Sequence, residues 1–368
     1  MDPLLIGLTL MLYNASLSIT LLPSGRLSDK LGRRPLIVAG SSLLTFSTLW
    51  LSVSTQTWMM LLAVVGDGIA LALLVPSGNA LIADLARGRR SGFAFAVYQI
   101  ATLIAAVIGS FSAGALAESI GFPGMFAFSA VLAAVAAVLG YLIVPETLTS
   151  KMSGYASTVS ESLRTSVSGT ARLLRSNREL ALLTAALVIH AIGFSIINPF
   201  IPLFAEKGIH LNIAEVGITI SIWNAGIAMA QIPSGHLTDR FGAKPLLLIH
   251  FVLSSFSWAI YAMSWSLESA IATALFLGVV GALDMPARRT MMIEYATAKA
   301  GKATIIGSLD AITGTVGVIG PVIGGLVWAQ VGYAAPFQLA SIVNAFACMP
   351  LITVMRKVTP HRAESHSS

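Results

Sequence analysis

Long runs of apolar residues alternate with short polar or basic segments along almost the whole chain. A helix needs about 20 mostly apolar residues to cross the hydrocarbon core of a bilayer. The runs lack the two-residue alternation of a membrane barrel strand, so helices are the remaining way to satisfy their backbone in lipid. We therefore predict eleven membrane-spanning helices, at Leu4–Pro23, Leu36–Ser54, Trp58–Ala83, Gly92–Ala117, Pro123–Pro145, Leu180–Phe204, Asn212–Ser234, Leu246–Ser264, Glu268–Ile293, Ala303–Ala329 and Ala334–Met355.

Composition and charge favour the same class. Of the 368 residues, 56% are hydrophobic and 10% are charged, whereas soluble domains carry roughly 25% charged residues. When the predicted spans are placed across the membrane, 21 of the 22 lysine and arginine residues lie on one side of it and only Lys207 lies on the other. Lysine and arginine concentrate in cytoplasmic loops, so the formal charge of +6 is an orientation signal and implies no nucleic-acid partner. We predict a multi-pass protein of the plasma (inner) membrane, with its C-terminus in the cytoplasm and, if the chain is complete, its N-terminus outside.

The two halves of the chain carry the same pattern. The polar segment Gly25–Pro35 lies between two apolar runs and returns, partly changed, as Gly235–Pro245. Four residues of the first copy are identical 210 positions later, namely Gly25, Asp29, Gly32 and Pro35. Further pairs keep the same offset, among them Asp84 with Glu294. The pattern indicates a duplicated protein.

The first copy reads G-x-x-x-D-x-x-G-R-R-P over residues 25–35. This string resembles the signature loop of the major facilitator superfamily, which joins that family's second and third helices. The match is complete in the first copy, whereas Arg33 is replaced by Ala243 in the second. The resemblance implies an all-α, polytopic membrane protein with two helix bundles related by a pseudo-twofold axis. It also implies a substrate site between the bundles, exposed to each side in turn.

On this basis we expect an N-terminal bundle of five spans at 1–145, a cytoplasmic linker at 146–179, a C-terminal bundle of six spans at 180–356 and a cytoplasmic tail at 357–368. The family's first helix is missing; either the lineage lost it or the start codon was placed too far downstream, and we favour the second. Within the linker, Leu163, Val167, Ala171 and Leu174 recur at helical spacing. An amphipathic helix on the inner leaflet and a disordered linker are both compatible with this spacing.

The resemblance also implies a conformational latch. In the family, the aspartate and arginine corresponding to Asp29 and Arg33 hold the cytoplasmic side shut when the cavity faces outward. Asp84, at the end of the third span, is the expected ion-pair partner of Arg33. The alternative is that these charges only anchor a loop and set the orientation of the protein in the membrane. In the second half we expect a weaker latch, or one that uses Lys244 or Arg240. The predicted latch residues are Gly25, Asp29, Gly32, Arg33, Arg34, Asp84, Asp239 and Glu294.

Ionisable groups deep in the spans are the candidates for coupling, since each costs roughly 2.5–3.5 kcal/mol at mid-membrane. Asp67 is either a protonatable coupling site or a cavity residue near the outer mouth. Asp310 and its repeat mate Gln99 suggest a cavity-facing polar position in both halves. A histidine in water titrates near neutral pH, so His190 is a candidate proton carrier, although a hydrogen-bonded packing role is commoner. The predicted coupling or cavity residues are Asp67, Asp310, Gln99, His190, Asn198 and Asn224.

Two further patterns have structural explanations. Asp284 and Arg288 lie one helical turn apart, the spacing of an intrahelical ion pair, and we expect them to neutralise each other. The string Gly320-Pro321-x-x-Gly324-Gly325 resembles the antiporter motif of drug-efflux members, but that motif belongs to the family's fifth helix. We therefore expect these glycines to serve helix packing.

No phosphate loop, catalytic motif or metal-binding cysteine pair is present in the sequence, so we predict neither an enzyme nor a cofactor. The expected function is secondary active transport of a small, apolar or weakly cationic solute by alternating access, as proton-coupled efflux. Sugar or metabolite uptake within the same superfamily and a truncated, non-transporting remnant are the alternatives. The expected partners are the small-molecule substrate, a proton or other ion gradient and the lipid bilayer, and we expect a monomer.

Overall fold

A computed structural model describes residues 2–86, 91–147, 174–294 and 302–353. The described residues are helical and contain no strand. The helices in chain order are α1 Pro3–Leu31, α2 Arg33–Ser52, α3 Thr57–Leu85, α4 Ser91–Ile143, α5 Arg178–Ile197, α6 Phe200–Lys207, α7 Ile213–Phe241, α8 Ala243–Tyr261, α9 Leu267–Gly281, α10 Asp284–Glu294, α11 Lys302–Gly317, α12 Gly320–Val331 and α13 Ala335–Thr353.

The number of spans needs a correction. Among the described residues, ten helical segments are long and apolar enough to cross a membrane, one fewer than the eleven predicted. The difference is α4, whose 53 residues contain both the fourth and the fifth predicted span. Gly121 kinks α4 between these two spans, with φ 74° and ψ 167°. A single glycine in the left-handed region therefore replaces the loop that the sequence suggested.

Single glycines also make the tight turns at corresponding points of the two halves. Gly32 joins α1 to α2 with φ 111°, and Gly242 joins α7 to α8 with φ 89°. Only glycine adopts such backbone angles at little cost. We call the end of the molecule that carries these two turns the basic end, because Arg33, Arg34 and Lys244 lie beside them.

The repeat extends to individual contacts. The hydroxyl of Ser24 donates to the carbonyl oxygen of Ala72 at 2.5 Å. At the corresponding positions 210 residues later, the hydroxyl of Ser234 donates to the carbonyl oxygen of Ala282 at 2.8 Å. The first bond ties α1 to α3, and the second ties α7 to the end of α9. A buried hydroxyl without a partner is costly, so each bond stabilises the packing of its two helices.

Packing within each half is extensive. In the first half α1 packs against α3, and α2 packs against both α3 and α4. In the second half α13 packs against α5 and α8, and α7 packs against α9. The second half buries two apolar clusters, one containing Leu247 and Met291 and the other containing Phe200, Tyr261 and Phe337.

Two seams join the halves, α1 with α12 and α4 with α7. Small residues bring the backbones together at both seams. A Cβ added to Gly114 of α4 would lie 2.7 Å from the Cα of Gly217 in α7, and one added to Gly325 of α12 would lie 2.8 Å from the carbonyl oxygen of Pro3. Both contacts lie towards the end of the molecule opposite the basic end. The packing role predicted for Gly325 agrees with this placement.

Polar contacts reinforce the α4–α7 seam. The hydroxyl of Ser221 donates to the carbonyl oxygen of Val107 at 2.8 Å. The backbone N–H of Ile213 donates to a carboxylate oxygen of Glu118 at 3.2 Å. The second bond places an acidic side chain at the first residue of α7, where helix N–H groups lack partners within the helix.

Several predictions fall on residues that the structure does not describe. These are the linker helix positions Leu163, Val167 and Ala171, the basic residues Arg87, Arg89 and Arg90, and the tail at 357–368. The predicted domain boundaries likewise stay predictions.

Candidate functional site

A cavity of about 500 Å³ lies where α1 meets the helices of the second half. Leu10 and Asn14 of α1 form one side of it, and residues of α5 and α7 to α12 form the rest. Three aromatic side chains supply much of the apolar wall, namely Phe194, Trp223 and Trp258. An apolar cleft with a few polar groups is the usual form of a small-molecule site.

Three of the predicted coupling or cavity residues lie in the wall of this cavity. They are Asp310, His190 and Asn198. Asn198 stands at the end of α5, where Pro199 interrupts the helix before α6 begins. Irregular backbone inside a membrane protein is tolerated where it lines a cavity, so this break fits its position.

The other three lie elsewhere. Asp67 accepts a hydrogen bond from the hydroxyl of Ser47, and this contact joins α3 to α2. Asn224 belongs to the α4–α7 seam, because its amide donates to the hydroxyl of Ser110 at 3.1 Å. Gln99 is exposed. None of the three lines the cavity described here.

Asp310 has a partner that the sequence did not indicate. A guanidinium N–H of Arg289 donates to its carboxylate at 2.7 Å. Both side chains are partly exposed, Asp310 by 39% and Arg289 by 35%. The two residues come from different helices, so no intrahelical spacing signalled the pair. The structure therefore gives the cavity wall an ion pair that water can reach.

Asp284 and Arg288 form the ion pair predicted from their spacing, with 3.0 Å between Arg288 Nη2 and Asp284 Oδ2. Both residues line the cavity. The pair is incomplete, because Asp284 Oδ1 and Arg288 Nε are buried without a hydrogen-bond partner among the described residues. Unpaired buried polar atoms are rare and costly. Here one carboxylate oxygen and one guanidinium N–H could each form a further hydrogen bond or bind a ligand.

A second histidine faces His190. The Nε2 atoms of His190 and His250 are 3.4 Å apart, and their ring centroids are 5.0 Å apart. His250 is 3% exposed and also lines the cavity. Sequence reasoning missed His250; the signal that could have found it is a histidine inside an apolar span, in the half of the chain that already held His190.

The predicted latch residues of the first half form one network at the basic end. Arg33 Nη1 donates to Asp29 at 2.6 Å and Arg33 Nε donates to Asp84 at 3.3 Å. Arg33 is 9% exposed. The hydroxyl of Thr147 donates to the same oxygen of Asp84 at 2.8 Å. The contacts join the ends of α1 and α3 to the start of α2, as the resemblance implied for Arg33 and Asp84.

Glu146 completes the network, although the sequence suggested only that it begins the linker. Its two carboxylate oxygens accept the backbone N–H groups of Arg33 at 3.1 Å and of Arg34 at 3.3 Å. Gly32, the N-cap of α2, has no side chain to satisfy these groups. The Arg34 side chain donates to the carbonyl oxygen of Tyr141 and lies over the Tyr141 ring at 4.8 Å.

The corresponding turn of the second half is different. Asp239 is exposed and forms no ion pair with a described residue. Ala243, the counterpart of Arg33, is 1% exposed and packs in the apolar core. Glu294 is engaged in an interaction of its own. Among the described residues, no arginine takes the central place at this turn that Arg33 takes in the first half.

The two basic residues expected to compensate bind other groups. Arg240 lies over the ring of Phe241 at 5.3 Å. Lys244 Nζ donates to the carbonyl oxygen of Ile352 at 3.3 Å. Among the described residues neither forms an ion pair with Asp239, and Lys244 has a further interaction. The latch of the second half therefore stays a prediction.

Comparisons with known proteins agree with the fold. A family model described as Major Facilitator Superfamily matches residues 1–190 and 183–368. A nucleoside transporter, NupG, whose variant has been solved by crystallography, aligns with a TM-score of 0.81 over 97% of this chain and 92% of its own. The two sequences are 15% identical, so this likeness concerns the fold.

Curated relatives are named for drug resistance. The chain is 25% identical to "Multidrug resistance protein MdtG" of Proteus mirabilis over 88% of this chain and 78% of that protein. It is 27% identical to "Multi-drug resistance efflux pump PmrA" of Streptococcus pneumoniae over 88% of this chain and 79% of that protein. A tetracycline resistance protein of class C from Escherichia coli is 27% identical over 46% of this chain and 43% of its own length.

These matches confirm the predicted all-α membrane fold of two related bundles, with the span count corrected as above. They also confirm the resemblance based on the loop at residues 25–35. Because the family model matches both halves and the solved relative shares the fold along nearly the whole chain, the chain belongs to the Major Facilitator Superfamily of membrane transporters.

Proposed function

We propose that the chain is a secondary active exporter that moves a small, apolar or weakly cationic solute out of the cell in exchange for protons. It acts as a monomer in the plasma membrane, with its basic end in the cytoplasm. The observation that carries the proposal is the cavity between α1 and the second half, with its aromatic wall and its acidic residues Asp284 and Asp310. Relatives named as efflux pumps support the direction of transport.

The seams suggest how the solute would be released. The halves are in close contact at the end opposite the basic end, through Gly114 with Gly217 and Gly325 with Pro3. Export requires these seams to open while the basic end closes. The Arg33 network fixes the ends of three helices of the first half relative to one another, so it is suited to make the basic end of that half move as one unit when the end closes.

Asp310 is the group best placed to couple transport to protons. Its carboxylate lines the cavity and is paired with Arg289 at 2.7 Å. Protonation of Asp310 would release Arg289 from that pair, and the two protonation states would then favour different arrangements of the second half. A bound cationic solute would compete with Arg289 for the same carboxylate. Solute and proton would thereby exclude each other, as exchange requires.

Uptake of a polar metabolite is the second candidate. It is favoured by the likeness to a nucleoside transporter and by the amides of Asn14 and Asn198 in the cavity wall. Hydrogen bonds to such amides suit a base or a sugar better than a wholly apolar solute. The direction of a proton-driven flux separates the two candidates.

The test is flux in proteoliposomes with an imposed pH gradient and a panel of lipophilic cations and nucleosides. We expect solute to move against the proton gradient in the unmodified protein, and coupled flux to be lost in Asp310→Asn while solute-driven exchange remains. Asp2→Asn is the matched control, because Asp2 is exposed and lies outside the cavity, and asparagine can still cap α1. Solute and protons moving in the same direction would favour uptake, and full coupling in Asp310→Asn would overturn the role of Asp310.

A further inference from the structure

We propose that His190, His250 and Asp284 form a binding site for a divalent transition-metal ion of the zinc type in the wall of the central cavity. One ligand atom from each residue can be chosen so that all three lie within 4.8 Å of one another. The site goes beyond the proposed transport function and does not depend on it.

The hydrogen bonds fix the tautomer of His250. Its Nδ1 lies 2.8 Å from the carbonyl oxygen of Val280. A carbonyl oxygen only accepts hydrogen bonds, so the proton of the neutral ring is on Nδ1. The Nε2 atom of His250 therefore carries a lone pair.

The same reasoning applies to His190. The amide nitrogen of Asn344 donates to the carbonyl oxygen of Phe251 at 2.8 Å and to the hydroxyl of Ser255 at 3.0 Å. This orientation directs the Asn344 carbonyl oxygen at His190 Nδ1, 2.6 Å away. The Nδ1 of His190 must donate, and its Nε2 also carries a lone pair.

The two lone pairs thus face each other across 3.4 Å. Two acceptors at this distance repel unless a cation lies between them. Zinc binds imidazole nitrogen at about 2.0–2.1 Å in tetrahedral geometry, which places two such nitrogens about 3.4 Å apart. The separation of the two imidazoles therefore already matches one edge of a tetrahedral zinc site.

Asp284 supplies the third ligand. Its Oδ2 is paired with Arg288, whereas its Oδ1 is buried and has no hydrogen-bond partner among the described residues. One carboxylate oxygen can therefore bind the metal while the other keeps Arg288. A carboxylate oxygen of Asp284 lies within 4.8 Å of a ring nitrogen of each histidine. All three residues line the cavity, so water or a solute donor atom can supply the fourth ligand.

The surroundings hold the ligands as metal sites require. Hydrogen bonds from Nδ1 to Asn344 and to Val280 are the outer contacts that orient metal-bound histidines. The ring of Phe251 stacks on His190 with centroids 4.9 Å apart. Two arginines lie near the site; Arg288 is held by the Oδ2 atom of Asp284, and Arg289 is paired with Asp310.

Two of the three ligands, His250 and Asp284, are replaced by apolar residues at the corresponding positions of the first half. Gly40 occupies the position that corresponds to His250, and a Cβ on Gly40 would lie 3.0 Å from the carbonyl oxygen of Ala70. Leu74 corresponds to Asp284. Since the first half forms the same helices without these polar groups, the fold itself does not require them. The cost of burying them points to a bound cation.

The test uses the full chain in detergent, purified with a tag that contains no histidine. Zn²⁺ is titrated against a chromophoric chelator, with Mg²⁺ in excess, because imidazole ligands select zinc over magnesium. We expect one Zn²⁺ to bind per chain. His190→Gln and His250→Gln should each weaken zinc binding by at least about 10-fold. Loss of a residue that only hydrogen-bonds to a metal ligand already costs about that much, and loss of a ligand should cost more. His236→Gln is the matched control, since His236 is exposed on α7.

A measurement on the unmodified protein keeps the proposal testable if a variant fails to fold. X-ray absorption of the zinc-loaded protein should give two imidazole ligands at about 2.0–2.1 Å, and Co²⁺ should give the intense visible bands of tetrahedral coordination. Zn²⁺ bound no more tightly by the unmodified protein than by His190→Gln would overturn the proposal. So would ¹⁵N spectra that show a proton shared between the two Nε2 atoms and unchanged by Zn²⁺.

Discussion

Arg33 contacts three chain segments at the basic end, and its burial makes those contacts costly to lose. Its guanidinium binds Asp29 and Asp84 and its backbone N–H binds Glu146. A buried guanidinium is stable only when its donors are matched by acceptors. The arginine is therefore both a structural tie within the first half and the group on which the proposed latch depends.

Replacement of Arg33 by glutamine should lower the free energy of unfolding by about 1–3 kcal/mol, because two carboxylates lose a charged partner. Proton-driven flux should fall as well, since the helix ends of the first half would no longer move as one unit at the basic end. Thermal unfolding in detergent and flux in proteoliposomes measure the two effects.

Arg240→Gln is the comparison for this prediction. Arg240 contacts only the ring of Phe241 among the interactions described for it and is exposed, so the change should stay within about 0.5 kcal/mol. Equal effects of the two substitutions on stability and on flux would contradict the role given to Arg33.

Residue-scale contacts were predictable from sequence only where spacing or repeat carried them. Asp284 with Arg288 follows from helical periodicity, and Arg33 with Asp84 follows from the resemblance of residues 25–35 to a known loop. Glu146 lies far along the chain from Arg33, and His250 meets His190 only after α5 and α8 have packed. No local pattern encodes such meetings, because they depend on the relative placement of whole helices.

At the scale of elements, hydrophobic runs predicted nearly every span but not how spans break or join. Two predicted spans meet directly at Gly121, whose backbone is not helical, within the continuous segment α4. In contrast, the span starting at Arg178 is interrupted after Ile197, where α5 gives way to α6. Mean hydropathy cannot predict either feature, because each depends on the backbone angles of one or two residues.

Gly114 offers a test of the α4–α7 seam. Valine at this position would bring its side chain against the backbone of Gly217, so contact between the halves at this end should weaken. Spin labels on Ser119→Cys and Ala214→Cys, in a Cys348→Ser background, should report a longer distance in Gly114→Val.

Gly109→Val is the matched control, because a Cβ on Gly109 would meet no atom within 4 Å. It should leave the label distance unchanged. An unchanged distance in Gly114→Val, in protein that is folded by circular dichroism, would show that the glycine contact does not decide how the halves meet.

At the scale of the whole molecule, duplication gives two halves with the same turns and different chemistry. Gly32 and Gly242 adopt similar backbone angles, and Ser24 and Ser234 make equivalent bonds. The arginine network belongs to the first half, whereas the histidine pair and most of the cavity wall belong to the second. The repeated loops allowed the duplication to be predicted from the sequence. The different polar groups of the two halves could be recognised only in the folded structure.

The central claim is that the two halves rock about the cavity, so that one end closes as the other opens. Labels at Leu27 and Leu237, which are exposed repeat mates towards the basic end, report that end. Labels at residues 119 and 214 report the opposite end. Distances measured by pulsed electron resonance across a pH series, with and without transported solute, should change in opposite directions at the two ends. Distances that change together, or that stay fixed at both ends while solute is transported, would contradict the account.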